Sequence, residues 1–222
     1  MKKIILLAFV GLALYSCSPK TDADSADVTD AKQLEAAEGD AYAINYMRSS
    51  VNWIGAKPGG EHHGTVKAFG GNIMVKENKV VGGTVVFDLT TIENLDLEDE
   101  GMRNKLVNHL KSADFFDVEK YPKATFEITE VIPIEGQAAD DSDIIPTHQI
   151  TGNLTIKDIT KSVSFKALVA VETDKLAVKA PNFSINRTEW QITFKSKSVF
   201  SELKDNFIND EIIFNLDITA AK

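Results

Sequence analysis

The chain has 222 residues, 43% hydrophobic and 26% charged, which is ordinary globular composition and enough for one sizeable core or two small ones. Its net charge of −9, from 24 basic and 33 acidic residues, argues against nucleic acid or an anionic membrane surface as a partner. Cys17 is the only cysteine, so no disulfide can form within the chain.

Lys2 and Lys3 precede an apolar run over 4–14, followed by Tyr15-Ser16-Cys17. A basic start, an apolar stretch too short to span a bilayer and a small residue before the cut describe a secretory signal, residues 1–16. Leu14-Tyr15-Ser16-Cys17 resembles the lipobox of bacterial lipoproteins, which makes Cys17 the expected site of a diacylglyceryl thioether. More than one acyl chain anchors stably, at about 0.8 kcal/mol per buried methylene. Residues 17–40 are rich in Asp, Ala, Ser, Thr and Glu and read as a flexible acidic tether. The domain proper is expected over 41–222.

From Tyr42 onward, period-two alternation dominates. In 49–57, Val51, Trp53 and Gly55 alternate with Asn52, Ile54 and Ala56, and Pro58-Gly59-Gly60 turns the chain. A strand returns over 63–75, with Gly70-Gly71 at a bulge or bend. Glu77-Asn78 is a turn, and 80–90 is a third strand with Val85, Phe87 and Leu89 on one face. Met102, Leu106 and Leu110 recur every four residues, which predicts an amphipathic helix over 100–111.

The helix runs into Leu110 to Phe126, LKSADFFDVEKYPKATF. Ser112 and Asp114 break its pattern, Phe115 and Phe116 follow as an aromatic pair, and Tyr121-Pro122 sets an extended exit. The pair is either a plug packing the helix onto a sheet or a lid over an apolar cavity.

Strands are predicted over 123–132, 147–157, 162–171, 175–180, 183–196 and 211–220, with an acidic irregular insertion at 133–147 and a tight turn at Lys157-Asp158. Ile150, Gly152, Leu154 and Ile156 share one face of their strand, and Ile212, Phe214, Leu216 and Ile218 point inward from the last. About eight strands, one mid-chain helix and no βαβ alternation give an all-β class with antiparallel sheet. Closure into a barrel hides the edges, and two packed sheets would give a similar pattern.

Motifs for chemistry are sparse. His62 and His63 are adjacent on a strand, so their side chains point to opposite faces and cannot both reach one metal. Asp140, Asp141 and Asp143 lack the spacing of a calcium loop. No nucleophile elbow, phosphate loop or Cys-x-x-Cys is present. Arg187, between Phe183 and Trp190, is either a surface partner of Glu189 or an arginine near a barrel mouth that meets a polar head group.

Several segments together resemble the YceI-like family. They are Ser50-Val51-Asn52-Trp53 with Lys57; His63-Gly64; His109-Leu110, Ser112, Asp114 to Asp117, Tyr121-Pro122 and Thr125-Phe126; Ile150 to Lys157 with Thr160-Lys161; Asn186-Arg187; and the strand near Asp210. They fall in the family's order across 42–220. Gln191 stands where the family usually has Gly, and the acidic insertion is longer than the family's.

The resemblance implies a lipocalin-like closed barrel with an apolar tunnel for an isoprenoid or other long chain, with no cofactor and no metal. Tunnel-lining candidates are Trp53, Phe69, Phe87, Phe126, Phe165 and Phe214, with Phe115 and Phe116 as lid and Arg187 toward the head group. The expected function is a lipid-anchored envelope protein that sequesters or carries such a lipid. Its partners would be the lipid and, through Cys17, the membrane, with homodimer formation left open. An enzyme acting on a lipid through His63 or Arg187, or a structural protein with a filled barrel, would carry much of the same pattern.

Overall fold

The computed structural model describes residues 23–135 and 144–222. Cys17 and the cluster Asp140, Asp141 and Asp143 lie outside the described residues. Four residues with positive φ in two pairs, Glu77-Asn78 (52° and 59°) and Lys157-Asp158 (50° and 60°), make two-residue hairpin turns whose twist matches the strands they join. The strands are β1 (Asp24–Ser25), β2 (Asp27–Asp30), β3 (Asp40–Ile44), β4 (Ser50–Lys57), β5 (Gly60–Lys76) and β6 (Lys79–Asn94), then β7 (Lys123–Pro133), β8 (His148–Ile156), β9 (Ile159–Val171), β10 (Lys175–Asn186) and β11 (Glu211–Ala221). One helix, α1 (Glu100–Lys111), sits between β6 and β7.

Strands β4 to β11 close into an antiparallel ring of eight. Consecutive strands pair from β4 to β11, and β11 returns to β4 with Phe214 opposite Trp53. β3 extends the place of β4, pairing with β5 and β11 at the far end. The sheet is therefore a barrel rather than a sandwich, as the alternation and the need to hide edges implied.

The ring has one thin seam. β9 and β10 pair only over Leu168–Val171 and Leu176–Lys179. Beyond that point β1 pairs with β10 and β2 with β9, so residues 24–30 fill the gap as a strap. Here the tether reading of 17–40 needs correction for 24–30. Composition judged the segment by its side chains, whereas two open strand edges offer backbone partners to a polar chain as readily as to an apolar one. Ala26 is buried, its N–H donating to the Ser184 carbonyl at 2.9 Å, and Val28 packs against the core. Downstream, the buried Asn153 side chain exchanges two hydrogen bonds with the Lys32 backbone, at 2.8 and 2.9 Å.

Two other expectations shift. The strand predicted over 183–196 is the end of β10 and stops at Asn186; a 3-10 turn, Arg187–Trp190, follows. The helix has the expected span, capped by Asp99, whose side chain accepts from the Met102 N–H at 2.7 Å. Its inner face is Leu106 and Leu110 with Lys105 and His109, while Met102 is 56% exposed.

Because Ala26 is the buried residue of the strap, beside Phe165 and Phe183, Ala26→Asp buries a carboxylate without a partner. We expect a loss of about 1–3 kcal/mol in urea unfolding and faster proteolysis within 24–30. An unchanged midpoint with unchanged cleavage would show that the strap contributes nothing to the wall.

Candidate functional site

The interior of the barrel is hollow. A cavity of about 610 Å³ runs through it, inside the roughly 300–1,000 Å³ range of small-molecule sites. Ile212, Phe214 and Leu216 of β11 line it and are only half-buried although they point inward, because they face that space rather than packed atoms.

The wall is built by alternation on the strands. Phe126 of β7, Phe165 of β9, Phe183 of β10 and Phe214 of β11 form a continuous row, with centroid separations of 5.7, 4.6 and 6.2 Å. The middle pair is stacked within 5° of parallel. Gly152 on β8 makes the row possible, since a Cβ there would overlap the Phe126 ring. Trp53 of β4 lies opposite Gly64 of β5, and a Cβ at Gly64 would come within 2.6 Å of the indole. The His63-Gly64 pair of the sequence is thus a seat for Trp53.

The segment after the helix closes one end. The Phe116 N–H donates to the Leu110 carbonyl at 3.1 Å, that of Asp117 to Ser112 at 2.8 Å and that of Val118 to Lys111 at 2.9 Å. Leu89 of β6 donates to the Pro122 carbonyl at 2.9 Å, which fastens the exit from the loop. Phe115 is buried edge-on to His109 at 5.0 Å and beside Phe194 at 5.5 Å. Phe116 is half-buried, and both phenylalanines line the cavity. Plug and lid are divided between neighbours: Phe115 fills the joint between helix and barrel, and Phe116 covers the space.

Trp53, Phe87, Phe115, Phe116, Phe126, Phe165, Phe214 and Arg187 all border the cavity, and Phe69 does not. Phe69 is 56% exposed under Lys123, whose Nζ is 5.3 Å from the ring centroid. The reason is a change of phase. Before the irregularity between Ala68 and Gly70 the even-numbered residues Gly64 and Ala68 are buried; after it Ile73 and Val75 are. Counted from Gly64 and Ala68 the alternation points Phe69 outward, as it stands; counted back from Ile73 and Val75 across the bulge it points Phe69 inward.

Arg187 also departs from expectation. It is 4% exposed and its guanidinium is consumed by the chain itself. Nε donates to the Asn209 carbonyl at 3.0 Å, Nη1 to Ile192 at 2.7 Å, and Nη2 to Ile208 at 3.1 Å and to Asp210 Oδ1 at 3.3 Å. Four of its five N–H groups are thereby satisfied. Neither a surface pair with Glu189 nor a head-group contact fits: Glu189 pairs with Lys161 at 3.7 Å. Arg187 clamps the turn after β10 to the approach to β11. Burial pushes its pKa down, against the opposing charge of Asp210. Gln191 in that turn takes φ 55°, the left-handed conformation that a glycine adopts freely.

Trp190 was not among the predicted lining residues. It is fully buried, borders the cavity and donates its indole N–H to the Leu154 carbonyl at 3.0 Å. Its position on a turn rather than a strand hid its direction from a period-two reading.

Among the described residues no group of three or more His, Cys, Asp or Glu could hold a metal ion. His62 Nδ1 lies 2.7 Å from Asp96 Oδ2, and the His63 N–H donates to Asp96 Oδ1 at 2.8 Å. Burial works to raise the Asp96 pKa, but the bonds from His62, the His63 backbone and Asn94 outweigh it and hold it at about 2.

The YceI-like domain model matches residues 42–220. The chain belongs to the YceI-like family. A UPF0312 protein of Pseudomonas putida strain W619 is 38% identical over 105 residues, which is 47% of each chain. One from Pseudomonas aeruginosa strain PAO1 is 49% identical over 59 residues, covering 27% of this chain and 26% of that protein. This YceI-like chain thus aligns over about half the length, or less, of these relatives. Among solved structures, BcnA of Burkholderia cenocepacia superposes with a TM-score of 0.59 at 18% identity, over 80% of this chain and 99% of that one. A polyisoprenoid binding domain from Saccharophagus degradans superposes at 0.58 and 12% identity, over 82% and 98%. At such identities these two show the shared YceI-like fold.

Asp96 supplies a pH test. Its folded pKa of about 2 lies below the ordinary 3.8, so its contribution to stability is present above about pH 4 and is lost as pH falls toward 2. Asp96→Asn should lower the urea midpoint at pH 7 and flatten the acid limb between pH 4 and 2. Parallel acid limbs for the variant and the wild type would remove Asp96 from the account.

Proposed function

We propose that this protein binds a long-chain apolar ligand, an isoprenoid or a comparable amphiphilic lipid, and sequesters or carries it in the cell envelope. The observation that carries the reading is the hollow interior: a closed barrel keeps an apolar cavity of about 610 Å³ walled by Trp53, Phe87, Phe126, Phe165 and Phe214 and covered by Phe116. A chain entering it gains about 25 cal/mol per Å² of buried apolar surface, so binding needs no catalytic group. The Saccharophagus neighbour, described as a polyisoprenoid binding domain, supports the same ligand class. Of the two residues an enzyme reading would use, His63 is not among the cavity's lining residues, and the Arg187 guanidinium, which is, is taken up by backbone carbonyls and Asp210.

Organic extraction of the purified protein followed by mass spectrometry tests the ligand directly. At a hundredfold excess over Kd a ligand adds about 2.7 kcal/mol, which for a domain of this size raises Tm by about 5–10 °C. Stripped protein should melt lower than loaded protein by that margin, and a long-chain isoprenoid should restore it. Phe116→Ala should reduce the restoration, whereas the exposed Lys76→Ala should not. A stripped wild type that melts unchanged and ignores every long chain tried would end the binding proposal.

The same proposal places the domain on a membrane through Cys17, supported by the lipobox-like Leu14-Tyr15-Ser16-Cys17 after a signal-like run. In cell fractionation Cys17→Ser should move the protein from the membrane pellet to the soluble envelope or secreted fraction. A variant that still pellets would remove lipidation at Cys17 as the anchor.

A further inference from the structure

The wall of the barrel is not sealed equally all the way round. β9 and β10 pair over Leu168–Val171 and Leu176–Lys179 and then diverge. The strap lies in the gap, with Asp24 and Ser25 opposite Phe183 and Ser184 on one side and Asp27 to Asp30 opposite Ser164 to Lys161 on the other. Against the strap is a hollow of about 290 Å³, bordered by Asp24, Ala26, Gln149, Ser164, Phe165 and Phe183. Phe165 and Phe183 also border the interior cavity. Their rings, stacked at 4.6 Å and within 5° of parallel, reach toward each other from the two strands that have parted. At this level a polar strap and two side chains stand where the rest of the ring has strand paired to strand.

The strap is held by groups that water can replace. Of residues 23–30 only Ala26 is buried, with Val28 partly so. Two ion pairs tie its ends, Lys166 to Asp24 at 3.0 Å and Lys161 to Asp30 at 3.2 Å, and the two aspartate side chains are 74% and 98% exposed. Exposed pairs of this kind add little and are screened by salt. The downstream end is firmer, because the buried Asn153 side chain grips the Lys32 backbone through two hydrogen bonds. The strap can therefore peel from Asp24 toward a hinge at Lys32 while giving up little packed surface.

The two ends of the barrel are pinned more firmly. At one, the loop after the helix is fastened by the Phe116, Asp117 and Val118 N–H groups and by the Leu89–Pro122 bond. At the other, the Tyr42 hydroxyl lies 3.1 and 3.0 Å from the Glu172 and Thr173 carbonyls, and the Ser49 hydroxyl donates to the Thr219 carbonyl at 3.1 Å.

We propose that the β9–β10 seam is a side door to the cavity: residues 24–30 lift about Lys32, the Phe165–Phe183 stack parts, and a long chain passes sideways through the wall. The inference rests on the chain-binding reading above and adds the route by which the chain enters and leaves. Ring rotation is fast, whereas lifting the strap is a local unfolding event, so the strap sets the rate.

The test measures release. Protein loaded with geranylgeraniol is mixed with excess phosphatidylcholine vesicles, and the fluorescence of Trp53 and Trp190, which both border the cavity, follows the loss of ligand. Asp27→Cys/Ser164→Cys, residues directly opposite in the ladder, fastens the strap to β9 by a disulfide in a chain whose single native thiol is removed by Cys17→Ser. Thr84→Cys/Glu127→Cys, opposite each other on β6 and β7, makes a control bridge in an unbroken part of the wall. Oxidised, the strap variant should release ligand about tenfold more slowly than after reduction, with Kd unchanged within about twofold because the door is crossed in both directions. The control bridge should leave the release rate as it was. Asp24→Asn/Asp30→Asn, which removes both ion pairs and needs no disulfide, should speed release about two- to fivefold. Release that ignores both the strap disulfide and the loss of the ion pairs would overturn the side door and leave the chain-binding reading standing. Equal slowing by the two bridges would overturn it too, since the effect would then be a general stiffening of the barrel. Failure of both geranylgeraniol and oleyl alcohol to change the tryptophan fluorescence would overturn the chain-binding reading and the door with it.

Discussion

A ring of eight strands satisfies its own backbone. Every wall strand from β4 to β11 has a paired neighbour on each side, so the ladder hydrogen bonds are complete whatever occupies the middle. An ordinary core must be full to be stable, because its side chains hold the elements together. Here the wall is held by the ladders and by aromatic contacts running along it, and the interior can remain open. The cavity follows from closure and is space that the fold did not need to fill. At the thin β9–β10 seam the wall borrows a partner, and the strap of residues 24–30 supplies it.

The end of the barrel beside Arg187 is constrained differently. Between β10 and β11 the chain leaves the sheet for more than twenty residues, with no ladder to order it. Arg187 gathers three backbone carbonyls, at 192, 208 and 209, together with the carboxylate of Asp210. Burial works to raise the Asp210 pKa, but hydrogen bonds from Ser198 and Ser196 and the Arg187 charge keep it below the ordinary value. A buried charge so fully partnered is costly to disturb, and through the Ile192 and Ile208 carbonyls it holds both ends of the segment that carries Phe194.

Much of this was legible in the sequence. Period-two alternation identified the inward faces of β6, β8 and β11, the helix kept its predicted span, and seven of the eight aromatic candidates border the cavity. The failures have physical sources. Phe69 lost its place because a bulge changes the phase of a strand, and sequence marks the glycines without saying how many residues they absorb. Arg187 was read on a strand that ends one residue earlier, at Asn186. The strap escaped because backbone pairing leaves no hydrophobic signature.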